Sequence, residues 1–128
     1  MEYPFARAAI RGMAAGLAVA VAVGAASASD FRLLMFEQAG CIYCMRWDSE
    51  IGPAYPNTEQ GEIAPLTKLN IRDELPDGIE LDRAAYLTPT FVLIREGAEV
   101  GRIEGYPGPD FFWFLLDEVI ERAEQPES

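Results

Sequence analysis

Histidine is absent from this 128-residue chain, and cysteine occurs only twice. The absence of histidine removes the commonest general base and the commonest transition-metal ligand from any mechanism. Positive charge is also scarce, because 21 Asp and Glu outnumber 10 Lys and Arg and give a formal net charge of −11. The sequence contains no basic patch of the kind that binds a phosphate backbone, which argues against nucleic acid as a partner.

A long apolar run is missing as well. Residues 12–29 carry no charge, but they are rich in Ala and Val and shorter than the ~20 residues of a membrane span. Two arginines precede this stretch, and a pattern of small residues ends it at Ala28, as is typical of a cleaved secretory signal. We therefore predict a signal peptide at 1–28, a domain at 29–128 and export to a bacterial periplasm. An uncleaved anchor and an organelle transit peptide are the alternatives.

The rest of the chain alternates between strand and helix patterns. Four apolar or alternating runs predict strands: Phe31–Phe36, Leu66–Ile71, Thr90–Ile94 and Glu99–Glu104. Three helices are predicted: Cys41–Glu50, a stretch after the turn at Pro76 to Gly78 that runs to Tyr86, and Pro109–Ala123. Between the first helix and the second strand, Gly52–Pro65 is rich in Pro and Gly, and we interpret it as a surface loop suited to recognition.

This element order, β-α-β-α-β-β-α, defines an α/β fold. A β-α-β unit implies parallel strands, and the short Glu96-Gly97 turn between the last two strands implies an antiparallel hairpin. The sequence therefore predicts one domain with a mixed four-stranded sheet covered by helices.

Both cysteines lie in the motif Cys41-Ile42-Tyr43-Cys44, directly after a strand and at the start of a helix. A helix N-terminus stabilises a thiolate, and a spacing of three residues allows the two sulfurs to form a disulfide. We assign Cys41 as the exposed attacking residue and Cys44 as the more buried resolving residue. One alternative is a purely structural disulfide, but closing so small a loop would stabilise the fold by only about 2 kcal/mol. Half of a zinc site is the other alternative, although it would need two further ligands.

The second motif is Thr88-Pro89-Thr90, at the entry of a predicted strand. Proline in a sheet is confined to strand starts, edges and bulges, and an X-Pro bond is able to adopt the cis form. A cis bond here would bring the backbone close to a neighbouring site. Most X-Pro bonds in folded proteins are trans, so this motif gains weight only in combination with the cysteine motif.

Four segments in the right order together resemble the thioredoxin superfamily: Phe36–Cys44, Lys68–Ile71, Thr88–Phe91 and Gly97–Gly105. The resemblance implies a thioredoxin-like fold in which Pro89 is the cis-proline facing the disulfide and Thr88 offers its backbone to an extended substrate segment. The runs 47–56 and 64–66 further resemble the SoxS-type thioredoxin-like proteins of bacterial sulfur-oxidation operons.

Three departures from the thioredoxin pattern bear on redox direction. Gly40 replaces the usual Trp before the first cysteine, Ile-Tyr separates the cysteines, and Met35 stands where thioredoxins keep a buried acid. Met35 cannot accept a proton from Cys44, so Glu37 or water would have to do so. Since no His lies between the cysteines, we predict a moderately lowered pKa for Cys41 and a reducing protein.

Aromatic residues supply two further predictions. Phe111–Leu116 is apolar almost all round, which favours core packing, with a docking patch as the alternative. Tyr43 and Tyr106 are expected to line a groove beside the cysteines, and Tyr43 is expected to contact substrate. Each could instead be a half-exposed packing residue.

These observations predict a periplasmic thiol-disulfide oxidoreductase that needs no cofactor beyond the redox-active disulfide Cys41–Cys44. Its partners would be protein disulfides or thiols, and a membrane thiol carrier would supply electrons. The sulfur-oxidation resemblance implies a periplasmic sulfur-oxidation protein as the partner. Two other classes remain open, namely a redox-inert binding module with the same fold and a Cu(I) metallochaperone that uses both thiolates.

Overall fold

The computed structural model describes residues 12–20 and 30–125. Residues 12–20 are exposed and contain neither helix nor strand. The rest of the expected signal peptide at 1–28, with its cleavage point after Ala28, lies outside the described residues. Within the described part of the chain, no helix has the length and apolar character needed to cross a membrane.

The described residues form one mixed sheet with three α-helices. The strands are β1 (Phe31–Glu37), β2 (Leu66–Asn70), β3 (Thr90–Arg95) and β4 (Ala98–Glu104). The helices are α1 (Ile42–Glu50), α2 (Glu59–Ile63) and α3 (Pro109–Glu124). The sheet has the order β2-β1-β3-β4, with β1 parallel to β2 and antiparallel to β3, and with β3 antiparallel to β4. The predicted mixed four-stranded sheet of a thioredoxin-like α/β fold is confirmed.

Strand β1 is apolar almost throughout because both faces of the sheet are covered. Leu33 and Met35 belong to the larger core, which also contains the two cysteines and buried residues of α1 and α3. Leu34 and Phe36 point to the opposite face and pack in a second, smaller core. A central strand that is buried on both sides needs a continuous apolar run, and this explains why β1 shows no alternation.

The hairpin between β3 and β4 turns at Glu96 and Gly97, as predicted. Both residues have positive φ, 51° at Glu96 and 84° at Gly97. Two consecutive positive φ values are typical of the tight turns that match the twist of antiparallel strands. Pro109 likewise occupies the first turn of α3, as predicted, where its missing N–H costs no hydrogen bond.

The helix predicted between Gly78 and Tyr86 is wrong, because this segment is an extended loop. Ile79 and Leu81 pack on the second core, and Glu80 forms a bridge with Ala98 at the edge of β4. The N–H of Glu80 donates to the carbonyl of Gly97 over 2.8 Å. The local sequence pattern favours a helix, but packing on the second core and hydrogen bonding to the edge of β4 hold the segment in a loop conformation.

The prediction that 52–65 is a surface loop without regular elements is also wrong. The segment contains a 3₁₀ turn at Tyr55–Asn57 and helix α2, and the side chain of Tyr55 is fully buried. Thr58 caps α2, since its Oγ1 accepts a hydrogen bond from the N–H of Gly61 over 3.0 Å. The capping threonine is the only local sequence signal for this short helix. It is easily missed, because the prolines and glycines around it are typical of a loop.

Candidate active site

A disulfide bond joins Cys41 to Cys44 where α1 begins, and their Cα atoms lie 5.2 Å apart. Cys41 is the N-cap residue of α1 and has an extended backbone, with φ −81° and ψ 104°. Its Sγ accepts a hydrogen bond from the N–H of Cys44 over 3.1 Å. The sulfur of Cys41 therefore occupies the position where unpaired helix N–H groups stabilise a negative charge.

Cys41 is far less exposed than expected. It keeps 9% of its surface, against 3% for Cys44, so the predicted order of exposure holds but an open attacking residue is absent from this oxidised form. The reason is the cap itself, because the sulfur is turned inward to accept the N–H of Cys44 and to bond its partner. The two residues between the cysteines are the exposed ones, Ile42 at 66% and Tyr43 at 55%.

Beneath the cysteines, the position of a buried acid is occupied by an apolar side chain. Met35 is fully buried in the same core as both cysteines. The nearby Glu37, expected as one possible proton acceptor, forms an ion pair with Lys68 over 3.5 Å. Lys68 also binds Asp48 on α1. Partial burial opposes the charge of Lys68, but the hydrogen bond to Asp48 and the charge of Glu37 outweigh it and raise the pKa of Lys68.

The loop before β3 contributes the backbone of Thr88 and Pro89. The Thr88–Pro89 peptide bond is cis, and Pro89 is buried while Thr88 is half-buried. The carbonyl of Pro89 accepts a hydrogen bond from the N–H of Gly105 over 2.8 Å. Within residues 12–20 and 30–125, the backbone N–H and carbonyl of Thr88 have no hydrogen-bond partner.

Gln38 is a site residue that sequence reasoning missed. Its side-chain Nε2 donates to Oγ1 of Thr88 over 3.0 Å, and its carbonyl accepts the N–H of Cys41 over 3.3 Å. The residue carries no motif of its own. Its position opposite Thr88 follows only from the pairing of β1 with β3, which the sequence does not specify residue by residue.

A groove of about 740 Å³ begins at Tyr43, between the two cysteines, and reaches α3. Its lining comes from α1, from the loop before β3 and from the segment after β4: Tyr43, Arg46, Leu87, Thr88, Glu104, Gly105, Tyr106, Pro107 and Leu115. The structure thus brings the predicted Tyr43, Thr88 and Tyr106 to one surface. Cys41 and Cys44 lie on either side of Tyr43 in the chain.

The floor of the groove is fixed by Tyr106. Its hydroxyl donates to Oε2 of Glu50 over 2.6 Å, and only 6% of the residue is exposed. Burial, together with the hydrogen bond to the Glu50 carboxylate, raises the pKa of Tyr106, so the hydroxyl stays protonated as a donor. Arg46 pairs with the other oxygen of Glu50 over 3.4 Å. The end of α1 is therefore tied to the segment after β4.

The run Phe111–Leu116, for which core packing and a docking patch were the two alternatives, contains both buried and exposed residues. Phe112 and Leu116 are fully buried in the larger core, in agreement with core packing. Phe111 and Phe114 are exposed, at 64% and 59%. The helical period of α3 explains the division, because residues three and four positions apart share a face.

The sequence predicts no cofactor beyond the redox-active disulfide Cys41–Cys44. Across the residues that the structure describes, no three or more His, Cys, Asp or Glu side chains are grouped so as to hold a metal ion. The chemistry that this arrangement supports is exchange at the sulfurs. The disulfide lies at a helix N-terminus, and Tyr43 between the two cysteines lines one groove together with Thr88, whose backbone is unpaired among the described residues.

Comparison with known proteins finds similar chains among solved structures. The chain is 57% identical to the periplasmic thioredoxin SoxS from Paracoccus pantotrophus, crystallised in its reduced form, with a TM-score of 0.73 over 73% of this chain and 99% of that one. A thioredoxin of Malassezia sympodialis is 19% identical, with a TM-score of 0.45 over 70% of this chain and 77% of that one. No protein-family model matches the chain, and no curated protein does.

Proposed function

Because this chain belongs to the thioredoxin superfamily, and within it to the SoxS type, we propose that it is a periplasmic reductant of a sulfur-oxidation protein. Its activity is that of a thiol-disulfide oxidoreductase, since the Cys41–Cys44 disulfide lies at the active-site position of that family. The observation that carries the proposal is the hydrogen bond from the N–H of Cys44 to Sγ of Cys41. In the reduced protein, the same N–H would stabilise the Cys41 thiolate.

The first step is attack by the Cys41 thiolate on one sulfur of the partner's disulfide. The partner's S–S bond breaks, a mixed disulfide forms at Cys41, and the released partner thiolate takes a proton from water. The groove at Tyr43 is where we place the partner's chain next to the reacting sulfurs. An extended segment there would pair with the N–H and carbonyl of Thr88, next to Pro89.

The second step closes the disulfide of this protein. Cys44 loses its proton to Glu37 or to water and attacks Sγ of Cys41, and the second partner thiolate leaves and is protonated. Two electrons pass from this chain to its partner, and no cofactor takes part. A membrane thiol carrier then returns two electrons to Cys41–Cys44.

The reducing direction is supported by the residues around the cysteines. A strongly oxidising site needs a thiolate stabilised by about 7 kcal/mol, whereas a helix N-terminus supplies ~0.3 to 1 kcal/mol. The chain has no His that could provide the difference, and Arg46 is paired with Glu50. The reduced, thiolate form therefore gains little stabilisation from the site, and the dithiol remains a donor of electrons.

The compartment and the partner rest on the relative and on the first residues of the chain. The Paracoccus protein is periplasmic, and the pattern ending at Ala28 predicts export of this chain. We propose that the partner is a periplasmic sulfur-oxidation protein with a reactive cysteine that this chain restores.

A trapping experiment tests the proposal. In Cys44→Ser the second step is blocked, so the mixed disulfide at Cys41 should accumulate and its partner can be identified by mass spectrometry after expression in a sulfur-oxidising host. Cys41→Ser is the matched control and should retain nothing. Capture of a sulfur-oxidation protein is the expected result. Recovery of unrelated secreted proteins alone would contradict the proposed partner, and an absence of any adduct would contradict the mechanism.

A further inference from the structure

The ladder between β1 and β3 stops at the edge of the active site. Its last antiparallel pair is Phe36 with Thr90, and the same register places Glu37 opposite Pro89 and Gln38 opposite Thr88. The carbonyl of Glu37 accepts the N–H of Ile71 and that of Pro89 accepts the N–H of Gly105, so these two residues do not bond each other. None of the described residues pairs with the backbone of Thr88, and the backbone ladder therefore ends at Thr90. Some other contact has to hold Thr88 in line with the segment that leads to Cys41.

The side chain of Gln38 makes that contact. Its Nε2 donates to Oγ1 of Thr88 over 3.0 Å, in a half-buried position where water competes less well for the bond. Its main chain meanwhile accepts the N–H of Cys41 over 3.3 Å. One residue therefore contacts both parts of the site, the start of the cysteine helix and the loop before β3.

The other hydrogen bonds of this loop do not reach the cysteine segment. Oγ1 of Thr90 donates to the carbonyl of Leu87 over 2.7 Å, which fixes the loop to itself. The N–H of Gly105 donates to Pro89, which fixes the loop to the segment after β4. Among the described residues, the bond from Gln38 is the only hydrogen bond between the side chain of Thr88 and the segment that precedes Cys41.

We propose that Gln38 is a positioning residue that holds the backbone of Thr88 in register with Cys41, so that both meet the same extended substrate segment. The proposal rests on the proposed function, in which Thr88 pairs with the substrate. A glutamine suits the role because it has the reach and carries no charge.

The test separates substrate binding from thiol chemistry. Gln38→Leu and Thr88→Val each remove the bond, and each should raise KM for the reduction of insulin disulfides by about 3- to 10-fold with little change in kcat. The double variant should behave like either single one, because the two changes remove one interaction. Thr88→Ser should recover most of the KM that Thr88→Val loses.

Gln60→Leu is the matched control. Gln60 also donates a side-chain hydrogen bond between two elements, to Asp117 over 2.8 Å, but at the contact of α2 with α3. Its loss should leave KM unchanged. The reaction of reduced Gln38→Leu with a small aromatic disulfide should also keep its wild-type rate, because a small reagent needs no pairing with Thr88.

Three results would overturn the proposal. These are additive KM effects in the double variant, an equal effect in Gln60→Leu, or a loss of reactivity toward the small disulfide in Gln38→Leu. Failure of the wild-type protein to reduce insulin would contradict the proposed function instead. A measurement that needs no turnover then decides on Gln38, because the NMR order parameter of the Thr88 amide should fall in Gln38→Leu and stay unchanged in Gln60→Leu.

Discussion

The sulfur of Cys41 is held by one backbone group, and this sets how reactive the residue can be. Its Sγ accepts the N–H of Cys44, at the N-terminus of α1, where the helix dipole favours a negative charge. Met35 beneath it offers neither a charge nor a proton. A thiolate at Cys41 is thus stabilised by the helix start alone, which supports exchange chemistry without a strongly oxidising disulfide.

Titration of the ultraviolet absorbance of the thiolate checks this at the residue scale. In reduced Cys44→Ser, which isolates Cys41, the midpoint should lie below the value of about 8.5 of a free cysteine and above about 5. The rate at which Cys41 reacts should increase as the pH rises through that midpoint, because the thiolate fraction increases. A midpoint below about 5 would show a further source of stabilisation and contradict the reducing assignment.

The short helix α2 depends on close backbone packing that only a glycine allows. Gly61 is buried, and a Cβ built on it would lie 1.8 Å from the carbonyl oxygen of Tyr55. Tyr55 itself is fixed, since its hydroxyl donates to the carbonyl of Ala64 over 2.6 Å and its ring stacks on Trp113. The segment 52–65 is therefore part of the core, where it supports α1 through the contact of Tyr55 with Trp47.

At the element scale we predict that Gly61→Ala destabilises the fold by about 3 kcal/mol, because the backbone of Tyr55 would have to move. Gly78→Ala is the matched control, with a φ of +87° but no atom within 4 Å of the added Cβ. Backbone strain alone should cost it ~1 kcal/mol. Urea denaturation of both variants provides the comparison. Equal losses would show that the contact of Gly61 with Tyr55 does not limit stability.

Several elements were predictable because their signals are local. The apolar run of β1, the turn at Glu96-Gly97 and Pro109 at the start of α3 each act within a few residues. The loop after β2 was not predictable, because Ile79 packs on a sheet face that exists only in the folded molecule. That competition between local pattern and tertiary contact produced the wrong helix.

The candidate site shows the same division. The pair Cys41 and Cys44 and the Thr88-Pro89 motif are visible in the sequence, since their chemistry depends on residue type and spacing. The role of Gln38 depends on the register between β1 and β3, which brings it opposite Thr88. The near-complete burial of Cys41 depends on its disulfide bond to Cys44. Neither of these two features has a sequence signature.

At the scale of the whole molecule, two covered sheet faces place one disulfide at the edge of a larger core, beside a groove of about 740 Å³. The rest of the acidic chain, which has a net charge of −11, is the scaffold that holds the two sulfur atoms. The fold then acts as a carrier of two electrons, provided that the disulfide opens and closes reversibly.

A redox titration of Cys41–Cys44 against glutathione or dithiothreitol tests that requirement most directly, with the dithiol fraction read by mass after alkylation. The account predicts a reversible two-electron equilibrium at a reducing potential, closer to the ~−270 mV of thioredoxin than to the ~−120 mV of a strong oxidant. A disulfide that fails to exchange, or a potential near ~−120 mV, would contradict it.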